Sequence, residues 1–322
     1  LFIFRETVMK LRGIEFGNVL GASGVQGFFG EGYWYHKLPF VRPDFTGMAF
    51  VSTTATYFSR EGNMPLNRDY TPQEKMPACI KVNFRKGLAL NSKGLSNPGL
   101  PVLIRSGSWQ KLEHPFIISI ASVGKTLEDR LIEMGLMAEN LLCTKKELKA
   151  SFALQVNLSC PNTSHDPADM IAESAKTLEI LSQVGVPLMP KYSIASAPLG
   201  AMMELEENPH CDAICVSNTI PFGSREIDFK KVWGSNESPL AHLGGGGLSG
   251  SVLRPLVCEY IRRLRALGFK KPINGGGGIL CKNDAHEYWT AKASSVFLGS
   301  IAFLRPWRVK KVISYINTLQ WH

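Results

Sequence analysis

The string Asn157-Leu158-Ser159-Cys160-Pro161-Asn162 brings a thiol, a hydroxyl and two carboxamides together within six residues. Strand alternation through Leu154 to Leu158 sends Asn157 and Ser159 to one face, and the chain leaves the sheet at Cys160-Pro161. A cysteine in a strand-end loop, flanked by amides, is placed to act as a nucleophile or proton acceptor. Lys191 closes a second apolar run, where an ammonium beside an electron-accepting ring would stabilise the charge that develops on reduction. Asn218-Thr219 closes a third run, and Asn91 and Asn97 stand further upstream. With Asn157, these groups suit a planar ligand bearing amide or imide edges. Ser164-His165-Asp166 is not a hydrolase triad, because three consecutive residues cannot aim at one another.

Glycine clusters supply a different chemistry. Gly244 to Gly247 runs into Leu248-Ser249-Gly250, and Gly275 to Gly278 and Gly299-Ser300 follow. The last two come directly after apolar runs, where backbone N–H groups can approach an anion without a Cβ in the way. A bound phosphorylated cofactor or substrate is therefore expected. No GxGxxG follows the first strand, so a Rossmann site is not indicated.

The elements that must position these groups alternate. Short strands are expected at Asn18–Leu20, Met48–Val51, Pro115–Ser119, Leu154–Leu158, Leu188–Lys191, Ala213–Val216, Pro272–Asn274 and Ser295–Leu298. Helical periods fall between the later ones, near Thr126–Leu142, Pro167–Val184, Leu199–Glu207, Val252–Leu267 and Asp284–Lys292. Eight strands in 322 residues predict one α/β domain spanning 1–322, a (β/α)8 TIM barrel. The stretch from about 57 to 100, rich in Pro, Asn, Arg and Gly, breaks the rhythm and is expected as an insertion over the C-terminal mouth.

Composition narrows the class. The chain is 44% hydrophobic and 20% charged, ordinary for a packed protein. Its net charge of +9 suits an anionic ligand, but the basic residues are spread along the chain, and no nucleic-acid partner is expected. The apolar N-terminus is interrupted by Arg5 and Glu6, and no run approaches a membrane span, so neither a signal peptide nor a membrane association is expected. Seven cysteines without a CxxC pair point away from a metal site and toward a reducing, cytoplasmic setting.

At these residues the sequence resembles the dihydroorotate dehydrogenases, specifically the class 1 branch with a cysteine base. The likeness runs through Ala22-Ser23-Gly24, Arg60-Glu61-Gly62-Asn63, Asn91 to Asn97, Asn157 to Asn162, Lys191, Asn218-Thr219, Gly246 to Gly250, Gly275 to Ile279 and Gly299-Ser300. It implies an FMN barrel that oxidises dihydroorotate to orotate in pyrimidine biosynthesis. Ala22, Ser23 and Gly24 would lie against the flavin, with Asn157, Lys191 and Val216 beside the ring. Gly246, Gly247, Gly276, Gly277, Gly299 and Ser300 would hold the phosphate. Cys160 would take the proton from ring C5 while hydride passes from C6 to the flavin. Asn91, Gly94, Leu95, Asn157, Asn162, Asn218 and Thr219 would contact substrate. A homodimer is also implied, while the acceptor, with fumarate one candidate, leaves no mark on the chain.

One departure stands out. Ser52-Thr53-Thr54 occupies a segment where the family carries a lysine, with Thr53 in its place. Lys93 stands where the family usually has methionine, so the pair of changes suggests that Lys93 restores the lost charge to the substrate site. The alternatives are a reductase of another pyrimidine or activated cyclic C=C, and a catalytically silent flavin-binding homologue.

Overall fold

The structure, a computed structural model, describes residues 8–158 and 167–322. Its strands are β1 (Lys10–Leu11), β2 (Ile14–Glu15), β3 (Val19–Gly21), β4 (Ile80–Asn83), β5 (Leu88–Asn91), β6 (Phe116–Ile120), β7 (Phe152–Asn157), β8 (Leu188–Tyr192), β9 (Ile214–Val216), β10 (Ile220–Pro221), β11 (Gly247–Gly250), β12 (Ile273–Gly276) and β13 (Ser295–Leu298). The helices are α1 (Leu100–Arg105), α2 (Leu127–Lys145), α3 (Pro167–Ser182), α4 (Leu199–Glu207), α5 (Phe229–Val232), α6 (Leu253–Ala266), α7 (Lys282–Thr290), α8 (Ile301–Leu304) and α9 (Val309–Ile316).

Seven strands form a parallel sheet in the order β3-β13-β12-β9-β8-β7-β6. Residues 49–55 close the gap between its two edges. Ala49 pairs with Leu20 on one side, while Val51 and Ala55 pair with Ile117 and Ile120 on the other, all parallel. The eighth expected strand is thus present as isolated bridges rather than a ladder. The reason is local: the Ser119 N–H donates to Ser52 Oγ at 3.0 Å, and the Ser52 carbonyl accepts from Ser23 Oγ at 2.8 Å. Side chains have taken over part of the ladder, and the α/β barrel closes nonetheless.

Parity along the strands separates two cores. Leu20, Ile117, Ala153, Met189, Cys215 and Phe297 belong to a small inner cluster that includes Met9, Leu11 and Phe16 around the β1–β2 hairpin. Ile118, Leu154, Leu188, Ile214, Val216 and Val296 face outward into the larger cluster shared with the helices. Runs such as Phe-Ile-Ile-Ser-Ile in β6 are buried on both faces, as a parallel strand must be. Helix α2 starts where expected because Thr126 and Asp129 form a reciprocal capping box, with Thr126 Oγ1 accepting from the Asp129 N–H at 3.0 Å.

The insertion holds a four-stranded antiparallel sheet, β10-β11-β5-β4. Half of it comes from the glycine-rich run after β9. Gly247 to Gly250 pairs residue for residue with Asn91 back to Leu88. Close backbone approach accounts for some of these glycines: a Cβ on Gly246 would lie 2.8 Å from the Asn91 carbonyl oxygen, and one on Gly247 would overlap Thr219 Oγ1. Among the described residues no helix is long and apolar enough to cross a membrane.

Candidate active site

All seven sheet strands run the same way, so their C-terminal ends share one mouth, where a barrel builds its site. A cavity of about 1810 Å3 opens there, roofed by the insertion. Among the described residues six basic side chains line it (Lys37, Arg60, Lys75, Lys81, Lys93 and Lys191) against two acidic ones, Asp69 and Glu74, an imbalance that favours anions.

On its floor, Asn157 ends β7 in register with Lys191 on β8. Asn218 Nδ2 donates to Asn157 Oδ1 at 3.0 Å, and Asn218 Oδ1 accepts from the Thr219 N–H at 3.0 Å. Those bonds fix both amide planes. Lys191 is 8% exposed, its ammonium 5.2 Å from the Phe297 ring centroid, and burial lowers its pKa. Cys215, one strand over, has its thiol pushed up to about 12 by burial and is inert. Ser23 Oγ bonds Thr54 Oγ1 at 2.9 Å, which in turn bonds Ser119 Oγ at 2.9 Å. This hydroxyl chain holds the Ala22-Ser23-Gly24 turn against the barrel.

Most residues singled out from sequence meet at this cavity: Ala22, Ser23 and Gly24, Asn91, Lys93, Gly94 and Leu95, Asn157 and Lys191, Asn218 and Thr219, Gly246 and Gly247, Gly277, Gly299 and Ser300. Three expectations change. Val216 faces the helices, not the interior, because its strand turns Cys215 inward. Gly276 lies below the floor, where a Cβ would meet the Phe297 ring 2.6 Å away, and Gly278 lines the cavity instead. Asn97 is 2% exposed and spent on structure: its Oδ1 accepts from the Thr56 and Gly99 N–H groups, and its Nδ2 donates to Thr56 Oγ1 and the Leu95 carbonyl. Cys160 and Asn162 lie outside the described residues.

Sequence reasoning missed the wall built by Tyr33, Trp34 and Tyr35. The Tyr33 hydroxyl donates to the Gly24 carbonyl, and its ring stacks on Tyr35 with centroids 5.9 Å apart. The run of four ring-bearing residues from Tyr33 to His36, after a glycine-rich turn, was the available signal.

Two features test the fit of a flavin phosphate ester. The N–H groups of Gly277, Gly278, Gly299 and Ser300, at the ends of adjacent strands β12 and β13, donate to no acceptor among the described residues. Four unspent donors from glycine-rich turns suit a phosphate. Beside Gly24, Thr53 Oγ1 is buried without a partner among the described residues, 3.8 Å from where a Cβ on that glycine would stand. A buried hydroxyl without a partner calls for one from a ligand. The residues present therefore fit the group.

Comparison with known proteins agrees with this geometry. The sequence profile described as dihydroorotate dehydrogenase matches residues 7–319. The chain is 27% identical over 312 residues to the "Dihydroorotate dehydrogenase B (NAD(+)), catalytic subunit" of Caldicellulosiruptor bescii, covering 92% of this chain and 88% of that one. It is 32% identical over 225 residues to the "Dihydroorotate dehydrogenase A (fumarate)" of Lactobacillus helveticus, covering 66% of each. A crystal structure of DHODH from Eimeria tenella in complex with ferulenol superposes with a TM-score of 0.68 at 16% identity, covering 97% of this chain and 83% of that one, a likeness of fold. The chain belongs to the dihydroorotate dehydrogenase family.

Proposed function

We propose that this chain, as a single domain over residues 1–322, oxidises dihydroorotate to orotate in pyrimidine biosynthesis, with Cys160 as the general base. The family is FMN-dependent. The observation that carries the reading is one basic cavity holding unspent phosphate donors at β12 and β13, together with the Asn157–Asn218 amide pair and Lys191. FMN, when bound, supplies the two-electron acceptor for the hydride that leaves ring C6.

The chain's own residues do the rest. Gly277, Gly299 and Ser300 bind the phosphate, with Gly246 and Gly247 at its edge, and Ala22, Ser23 and Gly24 hold the ring edge. Asn91, Asn157, Asn162, Asn218 and Thr219 orient the substrate's imide through paired donors and acceptors, and the Gly94 and Leu95 N–H groups add to that grip. The Cys160 thiolate takes the proton from C5. Lys191, a buried ammonium at the floor, stabilises the negative charge gained on reduction. We place the protein in the cytoplasm as a homodimer, and take fumarate as the first acceptor to test, a dicarboxylate the same basic cavity admits.

The test is anaerobic addition of dihydroorotate to the FMN-loaded protein. Loss of the flavin's visible absorbance is expected, and an unchanged spectrum refutes the assignment. Thr53, which brings no charge to its place, favours a second reading: reduction of an uncharged pyrimidine. Bleaching reversed by uracil but not by orotate would select it.

A further inference from the structure

The turn Ala22-Ser23-Gly24 leaves the end of β3 and lines the cavity. Its Ala22 N–H donates to the Leu298 carbonyl at 2.9 Å, and the Val25 N–H returns to the Ala22 carbonyl at 3.0 Å. Between them, the Ser23 and Gly24 N–H groups donate to nothing among the described residues. The Gly24 carbonyl, by contrast, is spent, because it accepts from the Tyr33 hydroxyl.

Tyr33 is held in turn by its neighbours. Its N–H donates to His36 Nδ1 at 3.3 Å, and the His36 N–H returns to the Tyr33 carbonyl at 2.9 Å. His36 is 8% exposed, and burial lowers its pKa to about 4, so the imidazole is neutral and able to accept near neutral pH. A Cβ on Gly32 would stand 2.5 Å from His36 Nδ1, so glycine leaves the room this reciprocal pair needs. The Tyr33 ring also meets the His36 ring edge-on, with centroids 5.5 Å apart. Burial of the phenol, and secondly the Glu31 carboxylate, hold it protonated well above its ordinary value. The hydroxyl thus reaches the Gly24 carbonyl as a fixed donor.

We propose that Tyr33 is a positioning residue for the flavin: by holding the Gly24 carbonyl, it keeps the Ser23 and Gly24 N–H groups free for the ring and so favours the reduced form. The inference rests on the flavin reading of this cavity and is independent of the substrate's identity. Its physics is electrostatic. A reduced flavin carries more negative charge than an oxidised one, and donors fixed in advance stabilise charge where it develops. Gly24 stands at φ +88°, with only Thr53 Oγ1 within 4 Å of its Cβ position. Without the phenol, glycine's backbone freedom lets that peptide turn, and a carbonyl stripped of its donor seeks another.

The experiment measures the midpoint potential of the bound flavin by anaerobic dithionite titration against a dye of known potential. Tyr33→Phe removes the hydroxyl and keeps the ring stacked on Tyr35. It should lower the preference for reduced over oxidised FMN about tenfold, a fall of about 30 mV for a two-electron couple. Affinity for oxidised FMN should change by less. Tyr35→Phe removes a hydroxyl that bonds to nothing among the described residues from the same wall, and should leave the potential unchanged. An unchanged potential in Tyr33→Phe overturns the inference. So does equal weakening of both oxidation states, complete loss of FMN included, because that marks structural support rather than positioning. An equal shift in Tyr35→Phe overturns it as well, by showing that the polarity of the wall alone sets the potential. Because the reductant is dithionite, a wild type that fails to bleach with dihydroorotate ends the substrate reading and leaves this inference standing, whereas a wild type that takes up no FMN ends both.

Discussion

Gly278 offers a quantitative test of how the phosphate cradle is held. It stands at φ +73° where the end of β12 meets the end of β11. A Cβ there would overlap the Gly250 carbonyl oxygen and lie 3.0 Å from both the Gly250 carbonyl carbon and Ser251 Cα. All three are backbone atoms, so no side chain can swing aside. Gly278→Ala therefore meets two costs: the left-handed conformation, roughly 1–2 kcal/mol, and overpacking against backbone, about 1–3 kcal/mol more. Gly107→Ala isolates the first, since Gly107 has φ +67° and nothing within 4 Å of its Cβ position. For a chain of 322 residues the unfolding entropy converts each kcal/mol into about 1.5 °C of Tm. Thermal unfolding without ligand should thus fall by about 2 °C for Gly107→Ala and by about 3–7 °C for Gly278→Ala. The shift also moves the Gly277 and Gly278 N–H groups, so FMN titration should show weaker binding in Gly278→Ala and unchanged binding in Gly107→Ala. Equal Tm losses in the two variants would refute the close contact between β12 and β11. Equal FMN affinities would refute the role of these amides in holding phosphate.

Cys160→Ser should slow anaerobic flavin reduction by dihydroorotate by about 100- to 10,000-fold while FMN stays bound, read by stopped-flow absorbance, since the base is lost and the cradle is not. Arg130 holds Glu173 through two bonds of 2.6 Å and donates to the Gly124 carbonyl, tying α3 to the loop before α2. Arg130→Met should cost about 1–3 kcal/mol in denaturant unfolding by leaving the half-buried Glu173 carboxylate without its partner, and Arg130→Met with Glu173→Leu should cost less than Arg130→Met alone. Thr53→Val should raise ligand-free stability by about 1 kcal/mol, because it removes a buried hydroxyl without a partner, yet weaken ligand binding; a fall in ligand-free stability would show that the hydroxyl is satisfied.

Much of the barrel could be read from sequence because its signals are local. The boundaries Leu199–Glu207 match α4, and Thr126 marks the start of α2 by its own capping chemistry. Met48–Val51 was legible as an element but not as a ladder, since the rerouting of its hydrogen bonds depends on Ser23 and Ser119, residues remote in sequence. The insertion sheet was not legible. Its strand β5 pairs with β11, and Asn91 meets Gly247, a partner 156 residues away. No period within 57–100 records a partner that distant.

The site divides along the same line. A strand end announces its residue by position, so sequence alone assigns Asn157, Lys191 and Asn218 to one mouth. Parity is harder, and it decided Val216: a shift of one residue exchanges the inner Cys215 for the outer Val216, and the short Ile-Cys-Val run fits either phase. Glycine is harder still, because it marks two opposite uses. At Gly277 and Gly299 it leaves donors unspent for a ligand, whereas at Gly250 and Gly276 it makes room for protein, the Gly87 carbonyl in one case and the Phe297 ring in the other. Sequence shows the missing side chain, and only the fold shows what fills the space. Lys93 illustrates the converse: its charge is visible in sequence, but only the fold shows that Glu31, the carboxylate whose field reaches it, spends both oxygens on the Phe28 and Phe29 amides.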